Sequence, residues 1–281
     1  MSGEKVICRR ISDGVYLRIP DTFDLRQIAE SGQCFRLTPT PNGGYIAVTG
    51  THLVEIASHE DGGYIFHCPY EEFRDVWIPY FDLTADYKAY QQKMVGDPFL
   101  RKAIAAGGGI RILRQDFWEM VVTFTISQRN SIPRIRKTVD TLCQMYGTPL
   151  REVNGQMFYS FPRPEQLKGK DLPATLGYRK DYIKELTEYS DGFWKILQTK
   201  NDEIVWRTLT SMRGIGEKVA NCVMLFGLHR MDRYPVDVWI NRMNEEIYHG
   251  EFDPAAYAGF AGYVQQLQFF YYRLIVKEGS E

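Results

Sequence analysis

Lys218 and Asp237, nineteen positions apart, are the residues whose types and setting point to covalent chemistry. They lie in the stretch Leu209 to Arg242, LTSMRGIGEKVANCVMLFGLHRMDRYPVDVWINR. A lysine amine can attack an electrophilic carbon and hold it as an imine. Lys218 falls in the first turn of a helix, where the backbone dipole disfavours a cation by several tenths of a kcal/mol. A lysine needed only for solubility would be better placed elsewhere, although a solvated surface lysine is the plain alternative. Asp237 follows Tyr234, Pro235 and Val236 and precedes the periodic run Val238, Ile240, Met243, Ile247, so it reads as a helix N-cap. A carboxylate there can also face a cation that develops in a transition state, and a preorganised charge of that kind is worth roughly 3 to 4 kcal/mol of barrier.

The lysine is positioned by a glycine hairpin. Gly214 and Gly216 flank Ile215, and the helix-period run Val219, Ala220, Val223, Met224, Phe226 follows at once. Unpaired N–H groups at such a helix start, with positive φ open to glycine, allow the main chain to approach an anion closely. That would be a contact to a nucleic-acid backbone blind to base sequence. The same glycines serve an ordinary corner between two helices, which is what a lone GxG means in most chains. The two helices and their hairpin are expected at about 204–228.

Upstream, short alternating segments separated by Gly, Pro, Asn and Asp turns predict an antiparallel sheet: Gly14 to Arg18, Cys34 to Leu37, Tyr45 to Thr49, Leu53 to Ala57 and Tyr64 to Cys68. From about Leu83 the pattern turns helical, most clearly over Tyr87 to Val95, Asp116 to Ile126, Ile135 to Met145, Asp181 to Ile196, Ile204 to Met212 and Gly262 to Val276. Gly147 to Leu172 reads as a polar connection rich in Gly and Pro. The division expected is an N-terminal β domain over 1–100 and a helical domain over 101–281.

Charge is uneven along the chain. The formal net charge of -1 divides into -5 over residues 1–100 (9 basic, 14 acidic), +8 over 101–242 (23 and 15) and -4 over 243–281 (2 and 6). A basic middle between acidic ends suits a protein that turns one face to a polyanion. With 44% hydrophobic and 14% aromatic residues the chain is expected to be folded throughout. Cys8, Cys34, Cys68, Cys143 and Cys222 are scattered, with no spacing that implies zinc, an iron-sulfur cluster or a disulfide framework, so neither metal nor cofactor is expected. The N-terminal residues lack a signal-peptide pattern, and no run approaches eighteen apolar residues. The expectation is a soluble, cytoplasmic, bacterial protein acting at the nucleoid as a monomer and away from membranes.

The hairpin, Lys218, Cys222 one turn later, and the PVD ending at Asp237 resemble the helix-hairpin-helix DNA glycosylases, most closely the 8-oxoguanine DNA glycosylases. Four further segments carry the likeness in family order: SGQCFR (Ser31 to Arg36), RILRQDFWEMVVTFTISQRNSIPRI (Arg111 to Ile135), LGYRKDY (Leu176 to Tyr182) and GYVQQLQFF (Gly262 to Phe270). The resemblance implies an α+β fold, in which an N-terminal antiparallel sheet domain packs on a mostly helical domain that contains the helix-hairpin-helix. It implies an enzyme that swings an oxidised base out of duplex DNA, attacks the sugar through Lys218 with help from Asp237, and nicks the strand from the imine. Its base pocket would be made by Cys222 and Phe269 on the two ring faces, Gln265 at the pairing edge, Phe124 in the wall, and the carbonyl of Gly32 accepting from the ring N–H that 8-oxoguanine has and guanine lacks. DNA contacts would come from Gly214 and Gly216, from Tyr178 as the wedge, from Arg179, Arg134, Arg129 and Asn130 near the orphaned cytosine, and from Trp239.

Several positions depart from the pattern. Arg129 stands where the family usually has asparagine, Trp239 where some members have a phosphate-contacting histidine, and Met212 and Arg213 where Leu-Pro is usual. Two rivals remain: a glycosylase for alkylated bases without lyase activity, which would lack the lysine, and a non-catalytic module that binds DNA damage through the hairpin alone.

Overall fold

The computed structural model describes residues 6–20 and 22–278, the side chains of 277 and 278 excepted. Six strands form one sheet: β1 (Ile7–Ile11), β2 (Gly14–Arg18), β3 (Leu37–Pro39), β4 (Tyr45–Thr49), β5 (His52–Ser58) and β6 (Tyr64–Phe66). Their spatial order is β1-β2-β6-β5-β4-β3. The registered pairs are antiparallel, with Val15 opposite Phe66, Ile56 opposite Phe66 and Leu37 opposite Ala47. In β5 Val54 and Ile56 are buried while Leu53, Glu55 and Ala57, which alternate with them, are only partly buried, the period of two expected of a sheet with one face better covered than the other. That face joins a core of Val15, Leu17, Phe66, Phe73, Trp77 and Phe81.

By packing, the chain falls into two compact units. The first comprises the described residues of Met1–Ala47, Val54–Arg114 and Val236–Glu281, the second Val48–Leu53 and Gln115–Pro235. These units cut the chain differently from the expected division at residue 100, because the C-terminal segment groups with the sheet. In the first unit the 18-residue helix Ala261–Glu278 packs on the helices Pro98–Gly107 and Val238–Tyr248. The Phe270 ring lies so close to Gly107 that a Cβ there would sit 2.8 Å from it.

The second unit is built on the helix Phe117–Ile126, all ten residues of which are buried. Asp116 caps its start through Glu119 N. It packs along Glu217–Leu228, where Gly227 admits Phe117 and Met120 at contact distance. The expected helix pair is present as Asp202–Ser211 and Glu217–Leu228.

Four expectations need correction. The segment read as a polar connection contains a hairpin, β7 (Pro149–Val153) and β8 (Gln156–Tyr159), and a short helix Pro164–Leu167. Its turn is Asn154-Gly155, both at positive φ (52° and 78°), the pair that two-residue hairpin turns demand. Cys34 to Leu37 is not a strand until Leu37, and Cys34 and Phe35 are buried in irregular chain. The helix expected over Asp181 to Ile196 is two helices, Arg179–Leu186 and Asp191–Leu197, because Ser190 takes extended backbone and caps the second through Phe193 N. The strand expected over Tyr64 to Cys68 ends at Phe66, two residues early.

Candidate active site

The hairpin works by an asymmetry between its glycines. Gly214 has φ 84°, and its Cα lies against the Tyr182 ring, where a Cβ would fall 2.4 Å from the nearest ring carbon. Gly216 has φ -85°, and a Cβ there would meet nothing within 4 Å; it is the N-cap of Glu217–Leu228 and offers no side chain to its first N–H groups. Positive φ is therefore needed at one glycine, and open space beside exposed N–H groups is provided by the other. Gly214→Ala is expected to lower stability by about 1 to 3 kcal/mol through strain and clash. Gly216→Ala is expected to leave the melting temperature within a few degrees while weakening binding to any duplex, matched or damaged. Thermal melts and a fluorescence titration with undamaged duplex would check the pair.

Gln128 ties this hairpin to the segments that flank it. Its Nε2 donates to Gly214 O (2.8 Å) and Thr125 O (3.0 Å). Its own carbonyl accepts from Arg179 Nε (2.9 Å) and a second Arg179 nitrogen, and lies 3.4 Å from the Tyr178 hydroxyl. Arg179 also donates to Arg129 O (3.2 Å) and Leu176 O (3.3 Å) and is only 8% exposed. In the free protein this guanidinium thus braces the turn that carries Arg129 and is not clear to meet a base. Arg129 itself is exposed, with φ 45°, a left-handed conformation that asparagine adopts more readily than arginine. Asn130 donates to Ile126 O (3.2 Å), and Arg134 is exposed on the helix Ile132–Tyr146. Tyr178 is 51% exposed, a large apolar ring projecting beside these cations, with the Arg179 guanidinium 4.5 Å from its centroid. Arg213 pairs with Glu185 at 2.5 Å on the surface and lies over the Tyr182 ring, two contacts from the hairpin to the helix Arg179–Leu186.

Lys218 is partly exposed in the first turn after Gly216. Its Nζ reaches Ser127 Oγ at a long 3.5 Å and lies 5.6 Å from the centre of the Phe124 ring. Among the described residues no carboxylate lies within ion-pair distance of it. The amine is therefore not tied up in a strong hydrogen bond or an ion pair. Phe124 is buried and stacks on Phe226 at 5.3 Å, and Cys222 is buried one turn beyond Lys218. Lys218, Cys222 and Phe124 therefore belong to one unit, with Arg129, Asn130, Arg134, Tyr178, Arg179, Gly214 and Gly216.

The remaining site residues belong to the other unit. Asp237 caps the helix Val238–Tyr248 through one oxygen only: Oδ1 accepts from Trp239 N and Ile240 N, both at 3.0 Å. Oδ2 makes no hydrogen bond to the described residues. Capping thus occupies one oxygen of the carboxylate and not the other. Trp239 stands edge-on to Tyr272 (6.5 Å), whose hydroxyl donates to Glu246 at 2.6 Å. Gln265 is buried and Phe269 partly exposed on the helix Ala261–Glu278, and Gly32 sits in a bend at φ 83°. Arg273, unremarked in the sequence, lies over the Phe269 ring at 5.0 Å. Burial pushes its pKa down from the ordinary arginine value, and the nearby charge of Asp237 opposes that shift. A cation four positions after Phe269, one helical turn on, was the signal that could have marked it.

Residues 16–121 match the family model of the 8-oxoguanine DNA glycosylase N-terminal domain. The chain is 34% identical over 158 residues to the N-glycosylase/DNA lyase of Saccharomyces cerevisiae, a match that spans 50% of this chain and less than half, 42%, of the yeast protein. Among solved structures it resembles MBOgg1, determined with a low-affinity DNA ligand, at a TM-score of 0.87 and 34% identity over 97% of this chain and 100% of that one. It also resembles the Clostridium acetobutylicum 8-oxoguanine glycosylase/lyase, determined with double-stranded DNA containing cytosine opposite 8-oxoguanine, at a TM-score of 0.85 and 29% identity over 98% and 100% of the two chains. With the hairpin, the lysine after it and the capping aspartate all in place, this chain belongs to the 8-oxoguanine DNA glycosylase family, within the helix-hairpin-helix superfamily.

Proposed function

We propose that the protein extrudes 8-oxoguanine from duplex DNA, releases it, and then nicks the strand. The amine of Lys218 attacks the anomeric carbon as the N-glycosidic bond breaks; the electron pair leaves with the base, which takes up a proton. Asp237 stabilises the cationic character of the sugar in that step. The sugar ring opens to an imine on Lys218. The imine acidifies the adjacent carbon, a proton leaves it, and the 3′ phosphate is expelled, so strand scission follows base release.

Recognition in this reading comes from Gly32, whose carbonyl accepts from the ring N–H of the oxidised base, from Gln265 at the pairing edge, and from Cys222, Phe269 and Phe124 around the ring. Tyr178 fills the gap left in the duplex. Arg134 and Arg129, both exposed, face the orphaned cytosine, with Asn130 and Arg179 holding their segment and Trp239 near the backbone. Gly214 and Gly216 bring main-chain N–H groups to a phosphate. The observation that carries the reading is the setting of Lys218: an amine at the start of the hairpin helix, partly exposed and without a carboxylate partner.

The test is a single-turnover assay on duplexes with 8-oxoguanine or guanine opposite cytosine. Release of the oxidised base with strand scission, and no release of guanine, is expected. Release without scission would favour a glycosylase lacking lyase chemistry, and binding with neither would leave a damage-binding module.

A further inference from the structure

Three buried glutamines in the first unit form a connected line. Gln33 is fully buried. Its Oε1 accepts from Leu113 N (2.9 Å), and its Nε2 donates to Arg111 O (2.9 Å) and Ser31 Oγ (3.0 Å). Its Nε2 also lies 3.5 Å from Oε1 of Gln266, which is 3% exposed on the helix Ala261–Glu278. Gln266 Nε2 in turn donates to Oε1 of Gln265 at 3.3 Å. Nothing about packing calls for an amide at position 266, since Tyr263, Val264, Leu267 and Phe270 around it on that helix are buried and apolar.

A primary amide has nearly the same shape either way round, so its orientation is decided by its partners. A backbone N–H cannot become an acceptor, nor a backbone carbonyl a donor. Leu113 N and Arg111 O therefore fix which end of the Gln33 amide is oxygen. The two hydrogens of the Gln33 nitrogen go first to Arg111 O and Ser31 Oγ, but that NH2 group still faces Gln266 at a longer 3.5 Å, where an oxygen is tolerated and a second NH2 would be repelled; the Gln266 nitrogen in turn faces the Gln265 oxygen. Reversing the Gln265 amide would set two NH2 groups against each other in a buried site, which costs on the order of 1 to 3 kcal/mol.

We infer that Gln33 and Gln266 are positioning residues that fix the orientation of the Gln265 amide and thereby select a guanine-type over an adenine-type pairing edge. This rests on the reading of Gln265 as the residue that meets the extruded base. A guanine-type edge offers an acceptor at position 6 beside a donor at position 1, whereas an adenine-type edge offers a donor beside an acceptor. One amide orientation satisfies the first, and the reversed orientation the second. The same line runs through Ser31, next to Gly32, so both elements that read the base lean on one buried network.

8-Oxoadenine carries the same oxidised five-membered ring as 8-oxoguanine and differs at the pairing edge, which makes it the probe. Single-turnover base release from the two lesions opposite cytosine would be compared in the parent, Gln266→Leu and Gln266→Glu proteins, beside strand cleavage at a preformed abasic site, which requires no base recognition. Gln266→Leu is expected to reduce the preference for 8-oxoguanine by tenfold or more with abasic-site cleavage within twofold of the parent. Gln266→Glu, an acceptor that draws the Gln265 nitrogen toward itself, is expected to move the preference further toward 8-oxoadenine. An unchanged preference in both variants would overturn the inference, as would a preference that falls only in step with abasic-site cleavage. A parent protein that released neither base would instead refute the functional reading beneath it.

Discussion

Lys218→Gln is expected to release 8-oxoguanine on the order of a thousandfold more slowly than the parent, or slower still, and to give no imine-dependent strand scission. The loss is chemical because the structure asks little else of this side chain. Its Nζ contributes one long contact to Ser127 and a distant approach to the Phe124 ring. A partly exposed cation over an aromatic ring is worth about 0.5 to 1 kcal/mol, so the melting temperature should move by only a few degrees. Single-turnover kinetics beside thermal melts separate the two effects. A Lys218→Gln protein with parental base release would mean that water, not the amine, opens the glycosidic bond.

Asp237→Asn is expected to slow base release by about 10² to 10³-fold, the scale seen when a preorganised transition-state charge is removed. The substitution is informative because it separates two duties. Asn caps helices about as well as Asp, and the cap here uses Oδ1 alone, toward Trp239 N and Ile240 N. The helix start at Val238 should therefore persist and the protein should melt close to the parent. Asp237→Ala removes the cap too and should cost about 1 kcal/mol of stability besides. If Asn and Ala variants both retained parental rates, the aspartate would be a cap and nothing more.

How much could be read from the residues depended on the kind of signal each element carries. The hairpin, its lysine and the capping aspartate were legible because local rules write them: helix period, glycines at a corner, and a polar residue before an apolar run. Strands β2, β4 and β5 were legible for the same reason. β1 was not, since its first four residues are exposed and show no buried face. The hairpin at β7 and β8 was missed even though Asn154-Gly155 is a strong turn signal, because its strands are short and Arg151, Glu152 and Gln156 break any clear alternation. The bracing network was beyond reach for a different reason. Gln128, Gln33 and Gln266 act through bonds to residues 86, 78 and 233 positions away, and spacing along the chain says nothing of such partners. The glutamines of GYVQQLQFF, set among apolar and aromatic residues, were the one hint left in the sequence.

The most direct measurement is borohydride trapping on a duplex with one 8-oxoguanine opposite cytosine, followed by proteolysis and mass mapping of the adduct. One covalent protein-DNA species is expected, with the sugar on Lys218. Base release with no trapped species, or a sugar mapped to another amine, would contradict the lysine mechanism.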